Sequence, residues 1–320
     1  MLNINNLSVC FDTPQGRIKV LDNLSYRLEK GEVLAVVGES GCGKTIHSLA
    51  ITRLLPPGAK ITSGSIIYKD KDIVKMNEPQ LRDVRGAGIG MIFQDPMMSL
   101  NPVFKVAFHL TETLRAHSKI SKKEALEKAA SLLKKVGIDE KFLNSYPHQL
   151  SGGMRQRVMT ALALCLNPDI LIADEPTTAL DVTVQRQILE LIKKLQKEFS
   201  ASVIFITHNL AIVNNIADRV LVLYAGEKVE ECSKEDLFKK PLHPYSEGLL
   251  NSVVRLSQSK ARLKTIEGTP PTAGREFKGC KFAERCPYAQ EKCRNERPPI
   301  FNLAGNRLVK CWRYEDCSNG

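Results

Sequence analysis

The sequence predicts an α/β fold with a largely parallel sheet. Two continuous apolar runs, Val33–Val37 and Ile170–Ala173, are typical of strands that are buried on both faces. A Gly-rich stretch follows the first run, and two acidic residues follow the second. Segments with helical periodicity separate the apolar runs, and this alternation of strands and helices favours a parallel sheet.

Further segments complete the alternation along the chain. The stretch 103–142 is polar, rich in Lys, Glu, Ala and Leu, and has helical periodicity, which predicts an inserted helical lobe. Helical patterns also cover 46–55, Ser151–Asn167 and Val182–Phe199. The strand predictions are Leu2–Phe11, Lys19–Leu28, Glu32–Val37, a strand pair within 60–75, Ile89–Gln94, Ile170–Ala173, Ser202–Thr207 and Arg219–Tyr224.

After residue 235 the composition and the hydrophobic periodicity of the sequence change. Regular periodicity fades, and prolines recur at positions 241, 244, 270, 271, 287, 298 and 299. We therefore predict a first domain over 1–235, with a helical subdomain at about 97–165, and a small irregular C-terminal extension over 236–320. No internal repeat is visible, so the chain carries one set of motifs.

Composition excludes several classes of protein. Of the 320 residues, 43% are apolar and 25% are charged, which is ordinary for a soluble globular protein. No apolar run approaches the ~20 residues of a membrane-spanning helix. Met1–Cys10 lacks the pattern of a secretory signal, and the four cysteines scattered through the body lead us to expect a reducing cytosol.

Charge and cysteine are concentrated at the C-terminal end. The net charge is +11, and residues 236–320 hold 16 basic and 9 acidic residues. Five of the nine cysteines lie in the last 41 residues. The positive charge by itself suggests an acidic partner, such as a membrane surface, nucleic acid or nucleotide.

The segment Gly38–Thr45 fits the pattern G-x-x-x-x-G-K-[ST]. It follows a predicted buried strand and opens a predicted helix, which is the context that this pattern requires. The glycines let successive N–H groups face one phosphate, and the helix N-terminus adds its partial positive charge. We expect Lys44 to reach the β- and γ-phosphates of a nucleotide and Thr45 to bind magnesium.

A second element of a phosphate site follows the strand Ile170–Ala173. Asp174 and Glu175 emerge at its C-terminal end, where open α/β sheets bind ligands. We expect Asp174 to hold magnesium and Glu175 to orient and deprotonate an attacking water. Without the first motif, such an acidic pair would be an ordinary strand end or helix cap.

The segment Leu150–Gln156 begins a helix with Ser151, Gly152 and Gly153. A helix N-terminus with small residues can bind an anion, although the plain alternative is a Ser N-cap. One chain would then hold two anion-binding helix starts. Two chains placed head-to-tail would use both, each completing the site of the other.

The three motifs resemble those of the nucleotide-binding subunits of ABC transporters. Gly38–Thr45 is similar to the Walker A motif, and Ile170–Glu175 is similar to Walker B. Leu150–Gln156 resembles the signature LSGGQ, with Met154 in place of Gln. The resemblance implies a P-loop NTPase ABC ATPase core with a mainly parallel sheet, an antiparallel β subdomain and an inserted helical subdomain.

Shorter matches accompany these motifs. Gln94 resembles the Q-loop glutamine, Ala179–Asp181 the D-loop, and His208 the switch histidine, which is followed by Asn209 where Asp is usual. The resemblance implies that Gln94 senses the γ-phosphate and magnesium while coupling to the membrane subunit. It also implies that His208 hydrogen-bonds the γ-phosphate. Phe11 lies where the family stacks an aromatic ring on adenine, or it is a core residue of its strand.

The resemblance therefore implies a full site for ATP and Mg²⁺. Ser151 and Gly153 would contact the γ-phosphate that the opposite chain binds. The catalytic residues would be Glu175, His208, Gln94 and Lys44, and the magnesium ligands Thr45, Gln94 and Asp174. The nucleotide-binding residues would be Phe11, Gly38, Ser40, Gly41, Cys42, Gly43, Lys44, Thr45, Ile46, Gln94, Ser151, Gly152, Gly153, Asp181 and His208.

Cys42 occupies a family position that is commonly Ser. A thiol at a helix N-terminus can have a lowered pKa. We therefore expect thiol reagents to inactivate the protein, ATP to protect it, and Cys42→Ser to remove the sensitivity.

Four cysteines of the tail, Cys280, Cys286, Cys293 and Cys311, can supply the ligands of a metal site. The paired C-x2-C spacing of zinc ribbons is absent, so the residues leave an iron–sulfur cluster, a zinc site and free thiols open. Cationic surroundings favour thiolates and would offset the charge of a cluster. The basic residues around the set are Lys278, Lys281, Arg285, Lys292, Arg294, Arg297 and Lys310.

The tail also resembles the C-terminal extension of the dipeptide/oligopeptide and nickel importer subfamily. The matching segments are His243–Tyr245, Ile266–Pro271 and Gly279–Pro287. Some members hold a 4Fe–4S cluster in the tail, so the resemblance favours this cluster on the four thiols, with zinc as the alternative. Cys317 would then be a spare thiol, and the cluster would be a structural or regulatory staple.

The resemblance implies an ATPase that energises the uptake of dipeptides or oligopeptides, with nickel or another small solute as the alternative. Its partners would be a second ATPase subunit, identical or paralogous, two membrane permease subunits and, indirectly, an extracytoplasmic binding protein. The protein would lie peripherally at the cytoplasmic face of the membrane. The sequence decides neither the solute nor the choice between homodimer and heterodimer.

A nucleic-acid-associated ATPase of the same superfamily is the rival interpretation, and the positive charge is its support. Such proteins usually carry two cassettes in one chain or long insertions, and neither appears in this sequence. No nucleic-acid partner is therefore expected. A scaffold that only binds ATP is disfavoured by the intact Lys44, Asp174, Glu175 and His208.

Overall fold

The chain forms two compact units. The first comprises Met1–Leu28, Val33–Lys75 and Thr207–Gly320, and the second comprises Glu29–Glu32 and Met76–Ile206. The predicted boundary at residue 235 stays a prediction. No helix within the described part of the chain is both long and apolar enough to cross a membrane. The computed structural model describes residues 1–14, 16–178, 180–252, 266–272 and 274–318, so Ala179 of the predicted D-loop lies outside the described residues.

Strands and helices alternate within 170–224, as the sequence predicts, with one helix between each pair of successive strands. The strands are β1 (Leu2–Thr13), β2 (Gly16–Leu28), β3 (Val33–Val37), β4 (Ala59–Tyr68), β5 (Lys71–Asp72), β6 (Ile89–Ile92), β7 (Ile170–Asp174), β8 (Ser202–Thr207), β9 (Arg219–Tyr224), β10 (Glu227–Ser233), β11 (Phe301–Leu303) and β12 (Arg307–Val309). The helices are α1 (Lys44–Ile51), α2 (Glu78–Val84), α3 (Pro96–Ser99), α4 (Val106–His117), α5 (Lys122–Lys135), α6 (Gly152–Leu164), α7 (Val182–Phe199), α8 (Leu210–Ile216), α9 (Lys234–Lys239), α10 (Pro244–Asn251) and α11 (Glu291–Asn295).

The antiparallel β subdomain lies in the first unit. Its sheet has the order β2-β1-β4-β5, and all neighbouring strands are antiparallel. β1 buries Leu2 and Ile4 and then, after a register shift, Leu7 and Val9. Ile4 and Leu7 are three residues apart, so a regular strand would point them to opposite faces of the sheet. The register shift between them brings both onto the same face.

A second sheet of the first unit contains β3 and the tail strands. β3 pairs in parallel with β9, and β10 pairs with β9 antiparallel. β12 and β11 extend the sheet beyond β10, giving the order β11-β12-β10-β9-β3. The expectation that the C-terminal extension is irregular is therefore wrong for this part of the tail. Val33–Val37 is buried throughout, which confirms the prediction for this run.

Side chains of the tail complete the core of the first unit. Tyr245 and Phe282 pack in one cluster with Val37, Val222 and Tyr224. The ring centroids of Tyr224 and Tyr245 lie 4.6 Å apart, and those of Tyr245 and Phe282 lie 5.5 Å apart. The tail is therefore an integral part of this unit, because Tyr245 and Phe282 of the tail pack against Tyr224, which precedes the tail.

The second unit contains the predicted helical lobe and a parallel sheet with the order β8-β7-β6. α5 begins at a capping box, in which Ser121 Oγ accepts the N–H of Glu124 and the Glu124 carboxylate accepts the N–H of Ser121. α7 buries an apolar stripe that runs from Ile188 to Leu195 at helical spacing. The predicted helix Val182–Phe199 is confirmed.

The sequence patterns miss β10, because this strand is charged. Glu227, Lys228, Glu230 and Glu231 are each at most 7% exposed. Lys228 Nζ donates to Glu231 at 2.6 Å, and Glu230 accepts two backbone N–H groups just before α10, at 2.8 and 2.9 Å. Burial of these charges is tolerated because each has a partner of its own.

Candidate functional site

The phosphate-binding loop lies between β3 and α1 in the first unit. Gly43 has a φ of 104° and forms the N-cap of α1, a backbone conformation that favours glycine. Lys44 is 5% exposed, and its Nζ donates to the carbonyl oxygens of Gly38 at 2.8 Å and Glu39 at 2.9 Å. Lys44, near the C-terminal end of the loop, thus hydrogen-bonds to the two residues at the start of the loop. The other predicted nucleotide-binding residues here are exposed or half-buried, namely Ser40, Gly41, Thr45 and Ile46.

The expectation of a lowered pKa at Cys42 is wrong, while the expected inactivation by thiol reagents stays a prediction. The residue is 6% exposed, and burial raises the pKa of the thiol, although Lys44 Nζ, 3.9 Å from Sγ, lowers it in part. The sulfur packs inward against Gly38, where an added Cβ would lie 2.7 Å from it. Burial therefore outweighs the position at the helix N-terminus, and the thiol stays protonated.

Phe11 and His208 also lie in the first unit. Phe11 is a half-buried residue of β1, so its ring is not enclosed in the core. His208 is exposed in the bend after β8. The neighbouring Asn209 caps α8, since its Oδ1 accepts the N–H of Ala211 at 3.0 Å, a contact that the Asp usual at this position can also make.

The second unit brings Gln94 and Glu175 together. Asp174, 1% exposed, ends β7, and Glu175 follows it with a φ of 45°. Gln94 Nε2 donates to Glu175 Oε2 at 3.3 Å, and Thr178 Oγ1 donates to the same oxygen at 3.0 Å. The carboxylate is thereby oriented at the C-terminal edge of the parallel strands, where this kind of sheet binds ligands.

The predicted signature residues begin α6, close to α7. Ser151 is the N-cap, and its Oγ accepts the N–H of Met154 at 3.3 Å. A Cβ on Gly153 would lie 2.6 Å from Val184 Cγ1, so the helix start requires glycine there. Asp181 caps α7 by accepting the N–H of Val184 at 2.9 Å. Ser151 and Asp181 therefore both stabilise a helix as its N-cap.

Four thiols of the tail line one small cavity: Cys280, Cys286, Cys293 and Cys311. All nine cysteines of the chain lie among the described residues, and all are free. Cys317 is exposed and is not part of the lining. Within the described ranges, no three His, Cys, Asp or Glu side chains are arranged to hold a metal ion. The thiols thus share a cavity without a closed ligand geometry.

The pKa values of Cys280, Cys286 and Cys311 in this cavity are raised, contrary to the expectation from their basic surroundings. Burial, with smaller contributions from the three neighbouring thiols, raises the pKa of Cys280 to about 12. Burial also raises the pKa of Cys286 and of Cys311, and Arg313 offsets only part of the effect. Desolvation outweighs the nearby cationic charge because it acts directly on the sulfur.

Sequence reasoning missed the contacts of the tail with the phosphate-binding loop. The Arg285 guanidinium donates to both carboxylate oxygens of Glu39, at 2.6 and 2.9 Å. The backbone N–H of Glu39 donates to Tyr245 Oη at 2.8 Å. The one signal in the sequence is the acidic residue in the loop itself, because a cationic partner stabilises a partly buried carboxylate.

Comparison with known proteins identifies two family matches along the chain. Residues 21–178 match the family described as "ABC transporter", and residues 229–293 match the family described as "Oligopeptide/dipeptide transporter, C-terminal region". The "Dipeptide transport ATP-binding protein DppD" of Bacillus subtilis is 49% identical, over 98% of this chain and 94% of the relative. The "Oligopeptide transport ATP-binding protein OppD" of Salmonella typhimurium is 46% identical, over 98% of this chain and 93% of the relative.

Solved structures share the fold. The ATP-binding cassette MJ0796, solved as a dimer in a post-hydrolysis state bound to ADP and Pi, is 30% identical, with a TM-score of 0.67. The similarity covers 73% of this chain and 99% of that one. The cassette cbiO1 from Clostridium perfringens, part of a cbiONQ transporter complex, is 28% identical with a TM-score of 0.64, over 75% of this chain and 90% of that one.

Proposed function

The chain belongs to the ABC transporter family, as the ATP-binding subunit of a dipeptide or oligopeptide importer, and we propose on this basis what its residues do. It hydrolyses ATP, as this class of subunit does. The observation that carries the residue assignments is the contact of Gln94 with Glu175 at the edge of the β6–β7 pair. It joins two motifs that are 81 residues apart in the chain.

Gly38–Thr45 binds the phosphates of ATP through its backbone N–H groups and the N-terminus of α1. Lys44, whose Nζ lies in the loop beside the carbonyl oxygens of Gly38 and Glu39, binds the β- and γ-phosphates. Thr45 and Asp174 hold the magnesium ion, which neutralises phosphate charge. Phe11 presents the accessible part of its ring to adenine.

Glu175 acts as the general base for the attacking water. The hydrogen bonds from Gln94 and Thr178 orient its carboxylate. Gln94 is also a ligand of magnesium and senses the γ-phosphate, which His208 hydrogen-bonds. Most of the acceleration then comes from positioning and charge neutralisation, and the general base contributes about 10²- to 10⁴-fold.

Two ATPase subunits, identical or paralogous, act as a dimer. Ser151, Gly152 and Gly153 face the γ-phosphate that the opposite subunit binds, and Asp181 lies beside them at the start of α7. The packing of Gly153 against Val184 supports this role, because it fixes the backbone N–H groups at the start of α6. The solved relative MJ0796 is described as dimeric.

Two membrane permease subunits contact an exposed apolar surface of the second unit, made of Val103, Phe104 and Phe108. These side chains are 69%, 38% and 41% exposed, and the two rings stack with centroids 4.2 Å apart. Apolar side chains exposed in a group mark an interaction site. The protein thus lies peripherally at the cytoplasmic face of the membrane, and peptide reaches the permease from an extracytoplasmic binding protein.

The four tail thiols hold a metal centre, which we assign as a 4Fe–4S cluster with zinc as the alternative. The donor set supports this assignment, because four free thiols line one cavity. Cys280, Cys286, Cys293 and Cys311 would hold the centre as thiolates, so the three thiols whose pKa values burial raises would have to lose their protons to it.

Glu175→Gln tests the role of the general base. The variant keeps the size of the side chain and removes the carboxylate, so we expect turnover to fall about 10²- to 10⁴-fold. ATP binding is retained, and a stable dimer accumulates on gel filtration with ATP. Glu190→Gln, an exposed carboxylate on α7 that pairs with Arg186, is the matched control. Normal turnover in Glu175→Gln would remove Glu175 from this role.

Anaerobic purification with iron and sulfide analysis tests the metal centre. We expect about four iron and four sulfide per chain, lost in Cys286→Ser and kept in Cys317→Ser. A colourless protein with one zinc would exclude the cluster and leave the zinc site. A protein without iron or zinc would refute the metal centre itself.

Co-expression with the permease subunits tests the docking surface. Phe104→Ser combined with Phe108→Ser should abolish co-purification with the permease while leaving ATP binding unchanged. Leu126→Ser, which replaces an isolated apolar side chain that is 45% exposed on α5, is the matched control. Salt-sensitive binding to DNA or RNA in place of permease binding would favour the nucleic-acid interpretation.

A further inference from the structure

All the polar groups of the loop residue Glu39 are engaged. Its N–H donates to Tyr245 Oη at 2.8 Å, and its carbonyl oxygen accepts Lys44 Nζ at 2.9 Å. Its carboxylate accepts both terminal nitrogens of Arg285, at 2.6 and 2.9 Å. The contacts of its N–H and of its carboxylate come from the C-terminal tail, more than 200 residues away in sequence.

The tail residues that hold Glu39 are themselves fixed. The Arg285 side chain is 5% exposed, and its Nε donates to the carbonyl oxygen of Glu267 at 3.0 Å. Its guanidinium lies 5.9 Å from the ring centroids of both Tyr224 and Phe282. Tyr245 is fully buried. The two parallel hydrogen bonds between the Arg285 guanidinium and the Glu39 carboxylate therefore fix the position of Glu39, because Arg285 is itself held by its neighbours.

The other end of the loop has a second connection to the tail. Lys281 Nζ donates to the carbonyl oxygen of Ala225 at 2.9 Å. The next residue, Gly226, donates its N–H to the carbonyl oxygen of Cys42 at 2.9 Å. The tail thus contacts the loop directly at Glu39. It also contacts the turn Ala225–Gly226, which in turn hydrogen-bonds to Cys42 of the loop.

We propose that Arg285 and Tyr245 are positioning residues that hold the phosphate-binding loop in its nucleotide-binding conformation, so that affinity for MgATP depends on the tail. They act through Glu39. A loop whose N–H groups already converge binds phosphate more tightly, because no conformational entropy of the loop is lost on binding. The proposal rests on the assignment of Gly38–Thr45 as the nucleotide site.

Calorimetric titration of the full chain with MgATP tests the proposal. We expect Arg285→Gln and Glu39→Gln each to raise Kd about tenfold, an ordinary magnitude for coupling between sites. The double variant should bind about as weakly as either single variant, because both changes break one pair. Arg285→Lys, which keeps the charge and loses the fork, should fall between the wild type and Arg285→Gln. Steady-state KM should rise while kcat stays close to the wild-type value.

Arg275→Gln is the matched control. Arg275 forms a forked pair with Glu284 in the same tail, and the two side chains are 47% and 56% exposed. We expect its Kd to stay within about twofold of the wild type. Tyr245→Phe removes one acceptor with little change in volume, and it keeps the proposal testable if Arg285→Gln does not fold.

Two results would overturn the proposal. One is a wild-type Kd in folded Arg285→Gln and Tyr245→Phe, and the other is an equal loss of affinity in Arg275→Gln. Lys44→Ala separates this failure from failure of the site itself. If Lys44→Ala abolishes binding while Arg285→Gln does not weaken it, the nucleotide site stands and the positioning role falls. If Lys44→Ala binds MgATP normally, the assignment of the site is wrong.

Discussion

Lowering the pH from about 7.5 to about 5 should destabilise the first unit through His47. His47 lies in α1, directly after the phosphate-binding loop, and is fully buried. Its Nε2 lies 2.6 Å from Tyr26 Oη, and its Nδ1 has no hydrogen-bond partner. Burial lowers the pKa of His47 from 6.5 to about 4, because a charged ring here would be desolvated.

The size of the effect follows from the difference between the two pKa values. Between pH 6.5 and pH 4 the unfolded chain binds a proton that the folded chain does not. The stability that neutral His47 confers is therefore complete above pH 6.5 and is lost as the pH falls towards 4. The full loss is about 3 kcal/mol, and about 2 kcal/mol is lost by pH 5.

Urea unfolding of the wild type and of His47→Gln at both pH values isolates this contribution. The loss of stability on acidification should be about 2 kcal/mol smaller in the variant. His243, whose pKa is lowered to about 3 chiefly by burial, also destabilises the acidified protein, but it is present in both chains and cancels. An equal loss in the two proteins would refute the reasoning, since His47 would then titrate normally in the folded state.

Two further predictions follow from local packing. Gly153→Ala should destabilise the second unit by about 1–3 kcal/mol, because its Cβ would lie 2.6 Å from the stiff side chain of Val184. Gly152→Ala, whose nearest neighbour would lie at 3.6 Å, should not, and chemical denaturation that ranks the two variants the other way would contradict the geometry. A maleimide should label the exposed Cys317 before the buried Cys42, as read by mass spectrometry, and labelling of Cys42 first would show that its thiol is accessible.

The sequence predicts the elements whose side chains have a simple pattern. The helix Val182–Phe199 has its predicted bounds because its apolar residues recur at helical spacing and Asp181 caps it. The buried strands β3 and β7 are short apolar runs between clear turns. Gln94 and Glu175 can be assigned to one site because parallel strands end at a common edge.

The sequence does not predict elements that depend on distant partners. β10 carries four charged residues, a pattern that favours a solvent-exposed segment, yet all four are buried, and each pairs with a charged group or with backbone N–H groups. The pKa of Cys42 is missed for another reason, since a helix N-terminus predicts a thiolate, whereas burial of the side chain raises the pKa. Periodicity carries no information about the tail cations that pair with Glu227, which lie far away in sequence, or about the direction in which the Cys42 side chain points.

The positive charge of the tail has a partner other than a cluster or a nucleic acid. Lys281 Nζ lies 3.1 Å from Glu227 and 3.5 Å from Asp22, and Arg297 contacts the same two carboxylates at 3.3 and 2.8 Å. Burial would raise the pKa of Asp22, but these cations hold it well below its usual value.

Lys310 also pairs with Glu227, and Arg285 pairs with Glu39. Four of the basic residues beside the tail cysteines therefore neutralise buried or half-buried acids of the first unit. Substitution of one of these cations by a neutral residue would leave a buried or half-buried carboxylate with fewer cationic partners, which is destabilising. These four cations of the tail have acidic partners within the first unit, so their charge is no argument for a nucleic-acid partner.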